Sequence, residues 1–300
     1  MGYVGFAESA ALDRGAAATY KPPMTSTDLP FRKMHGLGND VVVLDARRDR
    51  FALTAKSAAA IANRRTGVGC DQIMIIEPPR NGGDAFIAIR NSDGGVVESC
   101  GNGSRCVARV LMEESGKDKV TLETLGGPII ATRSKDLYSI DMGPAREDWK
   151  TIPLASAADT LHLPVSEGPL SDGVGVNVGN PHAVFFVKDA SAIDLETVGP
   201  KLEHHALFPA RINVEAVQVI DRGHLRMRVW ERGVGITQAC GTGACASAVA
   251  AVRRGLTDRK VTVTLDGGDL HIEWRDDGHV IMTGPATLAF SGFLDASLLA

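Results

Sequence analysis

"ESCGNGSRC" occupies residues 98–106 and "QACGTGACA" residues 238–246. Each sets a Cys-Gly-x-Gly ahead of a helix-like run, "VARVLMEES" after the first and "SAVAAVRR" after the second. Cys100 and Cys240 are 140 residues apart, and two other motifs keep that distance to within one residue. Asn39 in "GLGND" and Asn180 in "VGNPH" are 141 apart, as are "MGPA" at 142–145 and "TGPA" at 283–286. Three separate motifs at one offset indicate an internal duplication. With only two long copies, the expectation is a pair of related domains and not a solenoid.

The segments between the motifs suit a mixed α/β (α+β) chain. Short runs rich in β-branched residues and bounded by Gly, Asp or Asn read as strands: "VVVLDA" (41–46), "QIMIIE" (72–77), "AFIAIRN" (85–91), "KVTLET" (119–124), "PIIATR" (128–133) and "LYSIDM" (137–142). "TAKSAAAIANRR" (54–65) reads as a helix with Thr54 as its N-cap. The second half repeats the mixture from "HAVFFV" (182–187) to "HVIMTG" (279–284). Residues 1–29 carry no periodicity and read as a flexible extension. The expected domains are 30–145 and 146–284, with the last strand, within 285–300, crossing back to complete the first.

Composition removes several classes. The 300 residues are 44% hydrophobic and carry a net charge of −4, so there is no basic excess for nucleic acid or an anionic membrane surface. No apolar run of about 18 residues is present to span a membrane. The N-terminal stretch lacks a basic start and is broken by Glu8 and Asp13, a poor signal peptide. A cytoplasmic, reducing setting is expected, with the five cysteines as thiols. The expected partner is a small molecule; a homodimer is left open.

The chemistry follows from where the cysteines stand. A helix start offers unpaired amides and the positive end of the dipole, which hold a carboxylate and are expected to lower a thiol pKa toward neutrality. Glycines at 101, 103, 241 and 243 let a ligand approach the backbone. If a pseudo-two-fold relates the domains, two such cradles face each other with one sulfur on each side. Two opposed acid–base groups at one carbon suit stereoinversion, one thiolate removing an α-proton and one thiol returning it from the other face. A free cysteine is usually a small buried hydrophobe, and that reading is kept for Cys70, Cys106 and Cys245. Cys106 and Cys245 lie about 240° and 140° around the helix from their partners. The spacings C-x5-C and C-x4-C match zinc sites poorly, so no metal is expected.

In order along residues 31–290, "HGLGND", "GVGCDQ", "CGNGSRC", "GNPHAV", "ERGVGITQACGTGACASAVA" and the final "GPA" resemble the diaminopimelate epimerase family. The resemblance implies two similar domains, each a β-barrel-like sheet around a central helix, with the site in the cleft between them. It implies cofactor-independent interconversion of LL- and meso-2,6-diaminopimelate, a diamino diacid of lysine and peptidoglycan-precursor synthesis. By motif, Cys100 and Cys240 would be catalytic, and Gly101, Asn102, Gly241 and Thr242 would bind the reacting carboxylate. Asn39, Gln72, Asn91, Asn180, Asn213, Glu231 and Arg232 would hold the substrate's polar ends. His182 and Glu231 would tune the thiols. The chain departs from the pattern at Val41, Ile236 and Thr242, none of which removes a catalytic group.

Three rival readings stand beside this one. A proline or hydroxyproline racemase of the same fold also uses two cysteines, but the many amide side chains favour a substrate polar at both ends. A phenazine-type isomerase is disfavoured because both cysteines are present. A redox-sensing ligand-binding protein would bind without exchanging an α-proton.

Overall fold

A computed structural model describes residues 29–49, 51 and 53–299. The first half runs β1 (Leu29–Gly36), β2 (Asn39–Asp45), α1 (Ala55–Ala62), β3 (Gln72–Glu77), β4 (Ala85–Asn91), β5 (Val96–Val97), α2 (Gly101–Ser115), β6 (Lys119–Thr124), β7 (Gly127–Ser134) and β8 (Leu137–Pro144). The second runs β9 (Val174–Asn177), β10 (Pro181–Phe186), α3 (Leu195–Glu203), β11 (Asn213–Asp221), β12 (His224–Glu231), β13 (Gly235–Ile236), α4 (Gly241–Arg253), β14 (Lys260–Leu265), β15 (Gly268–Trp274) and β16 (His279–Gly284). A last strand, β17 (Thr287–Leu294), and a 3-10 turn at Ala296–Leu299 follow. The expected extension at 1–29 lies outside the described residues except for Leu29. That residue belongs to β1, because it pairs with Leu294 of β17.

The two halves match element for element, and their pairings match too. Parallel β2–β3 is bridged by α1, as parallel β10–β11 is by α3. Parallel β4–β6 is bridged by α2, as parallel β12–β14 is by α4. A parallel pair needs such a crossover, which is why helices recur at these places. The halves meet where β8 pairs antiparallel with β16: Ile140 faces Met282 and Asp141 faces Ile281. At an offset of 141 residues each of these pairs is the image of the other. A pseudo-two-fold axis therefore passes through this ladder.

Each central helix is wrapped by strands of its own half. α2 touches β1, β2, β3, β6, β7 and β8; α4 touches β9 to β12 and β14 to β16. α4 is buried on every side, Ala244 through Ala251 without a break, as a helix enclosed by a sheet must be. Its alanines let the strands close tightly around it. In α2, Asn102 to Ala108 are likewise buried, and the exposed Glu113 and Glu114 come only at its far end. Both helices share one core cluster, so their N-termini are brought to the seam by packing on both sides.

Candidate active site

Cys100 and Cys240 are the N-cap residues of α2 and α4, both extended in backbone. Ser, Thr, Asp or Asn normally fills this place, accepting the third amide of the helix through oxygen. Here sulfur does so: the Gly103 N–H donates to Cys100 Sγ at 3.3 Å and the Gly243 N–H to Cys240 Sγ at 3.4 Å. The remaining first-turn amides have no partner within their helix and face the same space.

The approach to each cysteine is pinned in the same way. The Gly126 N–H donates to Glu98 O at 3.0 Å, and the Gly267 N–H to Gln238 O at 2.8 Å. These glycines belong to equivalent tight turns between β6 and β7 and between β14 and β15. Behind the helix starts lies a methionine floor. A Cβ on Gly101 would meet Met282 Cε at 2.7 Å and Met142 Sδ at 3.1 Å, and one on Gly241 would meet Met282 Sδ at 2.8 Å. A side chain at either place would have to push the flexible end of Met282 aside.

A cleft of about 610 Å³ opens at the seam, and Cys100, Gly101, Asn102, Cys240, Gly241 and Thr242 all line it. Asn39, Gln72, Asn180 and Glu231 line it as well, from both halves. Asn102 crosses the seam: its Nδ2 donates to Ala239 O at 3.4 Å while its Oδ1 has no partner in the protein. Gln72 Oε1 is also buried and unpartnered, although its Nε2 donates to Asn91 Oδ1 at 3.1 Å. Asn39 is oriented by Asp71, which accepts from its Nδ2 at 2.9 Å.

Four expected site residues do not line the cleft. Asn91 is exposed at the end of β4 and reaches it only through Gln72. Asn213 is buried and serves the backbone, donating to Pro181 O at 2.8 Å and accepting from the Arg232 N–H at 2.9 Å. The exposed Arg232 guanidinium donates to Ala210 O at 3.0 Å. His182 is fully buried, its Nδ1 2.6 Å from Glu215 Oε1 and its Nε2 2.8 Å from Asn180 Oδ1.

The expected lowering of both thiol pKa values toward neutrality is reversed. Burial pushes the Cys100 thiol up; the Gly103 and Asn102 amides and Arg105 oppose this, and Glu231 adds to it. Burial pushes Cys240 well up, with Glu231 and Glu215 adding to the rise and Thr242 and the Gly243 amide opposing it. Desolvating a thiolate outweighs what the end of a helix dipole returns. Burial raises Glu231 also, against the hydrogen bond it accepts from Thr237.

Sequence reasoning missed Glu215, Arg105, Asp71 and the two methionines. Glu215 carried a signal, a lone acid inside the apolar strand "NVEAV". Arg105 stands within the quoted motif, which gives it no role. Met142 and Met282 gave no signal, since apolar residues at strand ends are commonplace. Among the described residues no cluster of His, Cys, Asp or Glu could hold a metal ion, and no helix is long and apolar enough to cross a membrane.

Relatives and folds agree with this geometry. A protein from Rhodospirillum centenum named diaminopimelate epimerase is 58% identical over 271 residues, covering 90% of this chain and 93% of its own. One of the same name from Erythrobacter litoralis is 53% identical over 266 residues, covering 88% and 97%. Among solved structures, a hydroxyproline epimerase from Agrobacterium vitis shares the fold with a TM-score of 0.63 at 14% identity, covering 90% of this chain and 91% of that one. A PhzC/PhzF phenazine-biosynthesis protein from Clostridium difficile does so with a TM-score of 0.64 at 13% identity, covering 89% and 99%. At such identities these two speak for the fold alone. The sequence model of diaminopimelate epimerase matches residues 31–147 and 174–289, one stretch in each half, and the chain belongs to the diaminopimelate epimerase family.

Proposed function

We propose that the chain epimerises LL-2,6-diaminopimelate to the meso form by a two-base mechanism between Cys100 and Cys240. The observation that carries this is the pair of cysteine N-caps lining one cleft from two halves. One sulfur, as thiolate, takes the α-proton; the other, as thiol, returns a proton to the opposite face. The carbon acid is very weak, so the negative charge spreading onto its carboxylate needs fixed donors. First-turn amides at Gly101, Asn102, Gly241 and Thr242 are suited to that. The unpartnered acceptors Gln72 Oε1 and Asn102 Oδ1 suit ammonium donors of a diamino substrate. Burial of the thiols fits a site that works after substrate closes out water: a raised pKa makes each a stronger base once deprotonated.

Residues 30–145 with 285–300 and residues 146–284 would be the two epimerase domains, and Asn91, Asn213 and Arg232 would meet the distal end of the substrate on closure. The expected setting is cytoplasmic lysine and peptidoglycan-precursor synthesis, with a homodimer left open as the assembly. The test is α-proton exchange. Wild type should exchange the α-proton of diaminopimelate into D2O and interconvert its stereoisomers. Cys100→Ser and Cys240→Ser should each lose well over tenfold in interconversion, more than about 1.4 kcal/mol of barrier. Either mutant keeping more than about a tenth of the rate would remove that sulfur from the mechanism.

A further inference from the structure

The two halves share a backbone plan but not a charge plan. Arg105, on α2, is fully buried; its Nε donates to Pro285 O at 3.2 Å and its Nη1 to Met282 Sδ at 3.4 Å, while Nη2 has no partner. Among the described residues no carboxylate pairs with it, and the groups that would act on it when ionised are the thiols of Cys106, Cys100 and Cys245. At the offset that relates the two cysteines, the residue matching Arg105 in α4 is Cys245, which carries no charge in its thiol form.

The opposite holds around Cys240. A Cβ on Gly103 would meet Met74 Sδ at 2.6 Å, whereas one on Gly243 would meet Glu215 Oε1 at 3.0 Å. Met74 and Glu215 are 141 residues apart, so one structural place holds a thioether beside α2 and a carboxylate beside α4. Glu215 is fully buried, and its Oε2 has no partner. Glu231 bears on both thiols, and of the charged groups it raises Cys240 most.

We infer that this division of buried charge ranks the pair: of the two sulfurs Cys100 gives up its proton first and Cys240 keeps its own, with Arg105 the positioning residue that draws the negative charge to Cys100. The inference rests on the two-thiol reading above. A desolvated guanidinium attracts a thiolate far more than an exposed one would, because little water screens it. The groups facing Cys100 are Arg105, Cys106 and Glu231. Those facing Cys240 are Glu231 and Glu215, with His182 hydrogen-bonded behind Glu215. In the first half-reaction the Cys100 sulfur gains the α-proton and the Cys240 thiol gives its proton to the other face of the same carbon. That leaves Cys240 as thiolate against two carboxylates, and the reactive pairing returns by moving one proton from Cys100 to Cys240 through solvent.

The test reads each sulfur separately. Ligand-free full-length protein is alkylated in short pulses with iodoacetamide across about pH 7 to 12, and the adducts at Cys100 and Cys240 are counted by peptide mass spectrometry. The pH midpoint is used, since it does not depend on how open each sulfur is. The Cys100 midpoint should lie at least about one pH unit below that of Cys240. Arg105→Met should raise the Cys100 midpoint by about a unit, and Arg105→Lys, which keeps the charge, should restore most of it. Glu215→Gln should lower the Cys240 midpoint. A Cys240 midpoint at or below that of Cys100 in wild type overturns the inference. So does an unmoved Cys100 midpoint in Arg105→Met that melts cooperatively. If Arg105→Met does not fold, the wild-type order and Glu215→Gln decide. Exchange into D2O on the same preparation separates the two levels: split midpoints without exchange would sink the epimerase reading and still support the charge division.

Discussion

Cys106 and Cys245 are fully buried in the two central helices, and Cys70 is buried under β2 and β3. Burial pushes Cys106 and Cys245 up to about 12 and Cys70 up to about 11, from an ordinary value of 9.0. A group whose pKa is raised by folding contributes stability that is complete below its unfolded value and is lost as pH rises through its folded value. Stability should therefore fall steadily from about pH 9 toward 12. Replacing all three with Ala should flatten that limb, leaving the part due to Cys100 and Cys240, while costing about 1–2 kcal/mol per site near neutrality through small cavities. Urea midpoints of wild type and the triple variant at neutral and alkaline pH check this. An alkaline limb as steep in the variant as in wild type would place the thiol burial in error. These three residues were legible in the sequence, because helical angle alone turned Cys106 and Cys245 away from the cleft. The roles of Glu215 and Arg105 were not, since they depend on which strand and which helix meet at the seam.

At the scale of elements, the runs at 72–77, 85–91, 119–124 and 279–284 are strands over the expected residues. β1 and β9 were missed for a physical reason. In β1, "LPFRKMHG", two charged residues interrupt the apolar alternation, and Lys33 is nonetheless buried because it pairs with Asp40 at 2.6 Å. β9 has only four residues, one of them Gly175. The turn between β1 and β2 is built from Leu37 and Gly38, both at positive φ (57° and 89°), as a two-residue hairpin with Gly36 facing Asn39 requires. Leu37 occupies this conformation because the turn is held from outside: it packs on Gly267 in the turn that pins Gln238, just ahead of Cys240. A methyl group on Gly267 would run into Leu37 O, a backbone atom that cannot step aside alone. Gly267→Ala should therefore cost roughly 1–3 kcal/mol and, by moving Asn39 from the cleft, raise KM for diaminopimelate more than it lowers kcat. Steady-state kinetics beside a thermal melt will show it. An unchanged KM with a lowered melting temperature would mean that the hairpin moves without disturbing the site.

At the scale of the whole molecule, the duplication read from three motifs is present in the pairing of every strand from β1 to β16, but β17 has no counterpart. It leaves the second half after Gly284 and pairs with β1 from Leu29 to His35. The connection to it is also what α2 holds: Arg105 donates to Pro285 O at 3.2 Å and Arg109 to Ala286 O at 2.8 Å. Phe290 stacks edge-on against Phe31 at 5.9 Å, and Leu294 is buried in the same cluster as Phe31. Removing residues 285–300 should thus unravel the first half while sparing the second, although the cut lies at the end of the second. Arg105 would lose its carbonyl acceptor while buried, a loss of roughly 1–3 kcal/mol before the strand ladder is counted. Hydrogen exchange should show protection lost in β1, β2 and α2 and kept in β10, β11 and α4. A synthetic peptide of residues 285–300 added in trans should restore it, because the acceptors and the edge it supplies are otherwise intact. Equal loss of protection in both halves, or no rescue by the peptide, would mean that β17 closes the molecule as a whole and does not belong to the first domain.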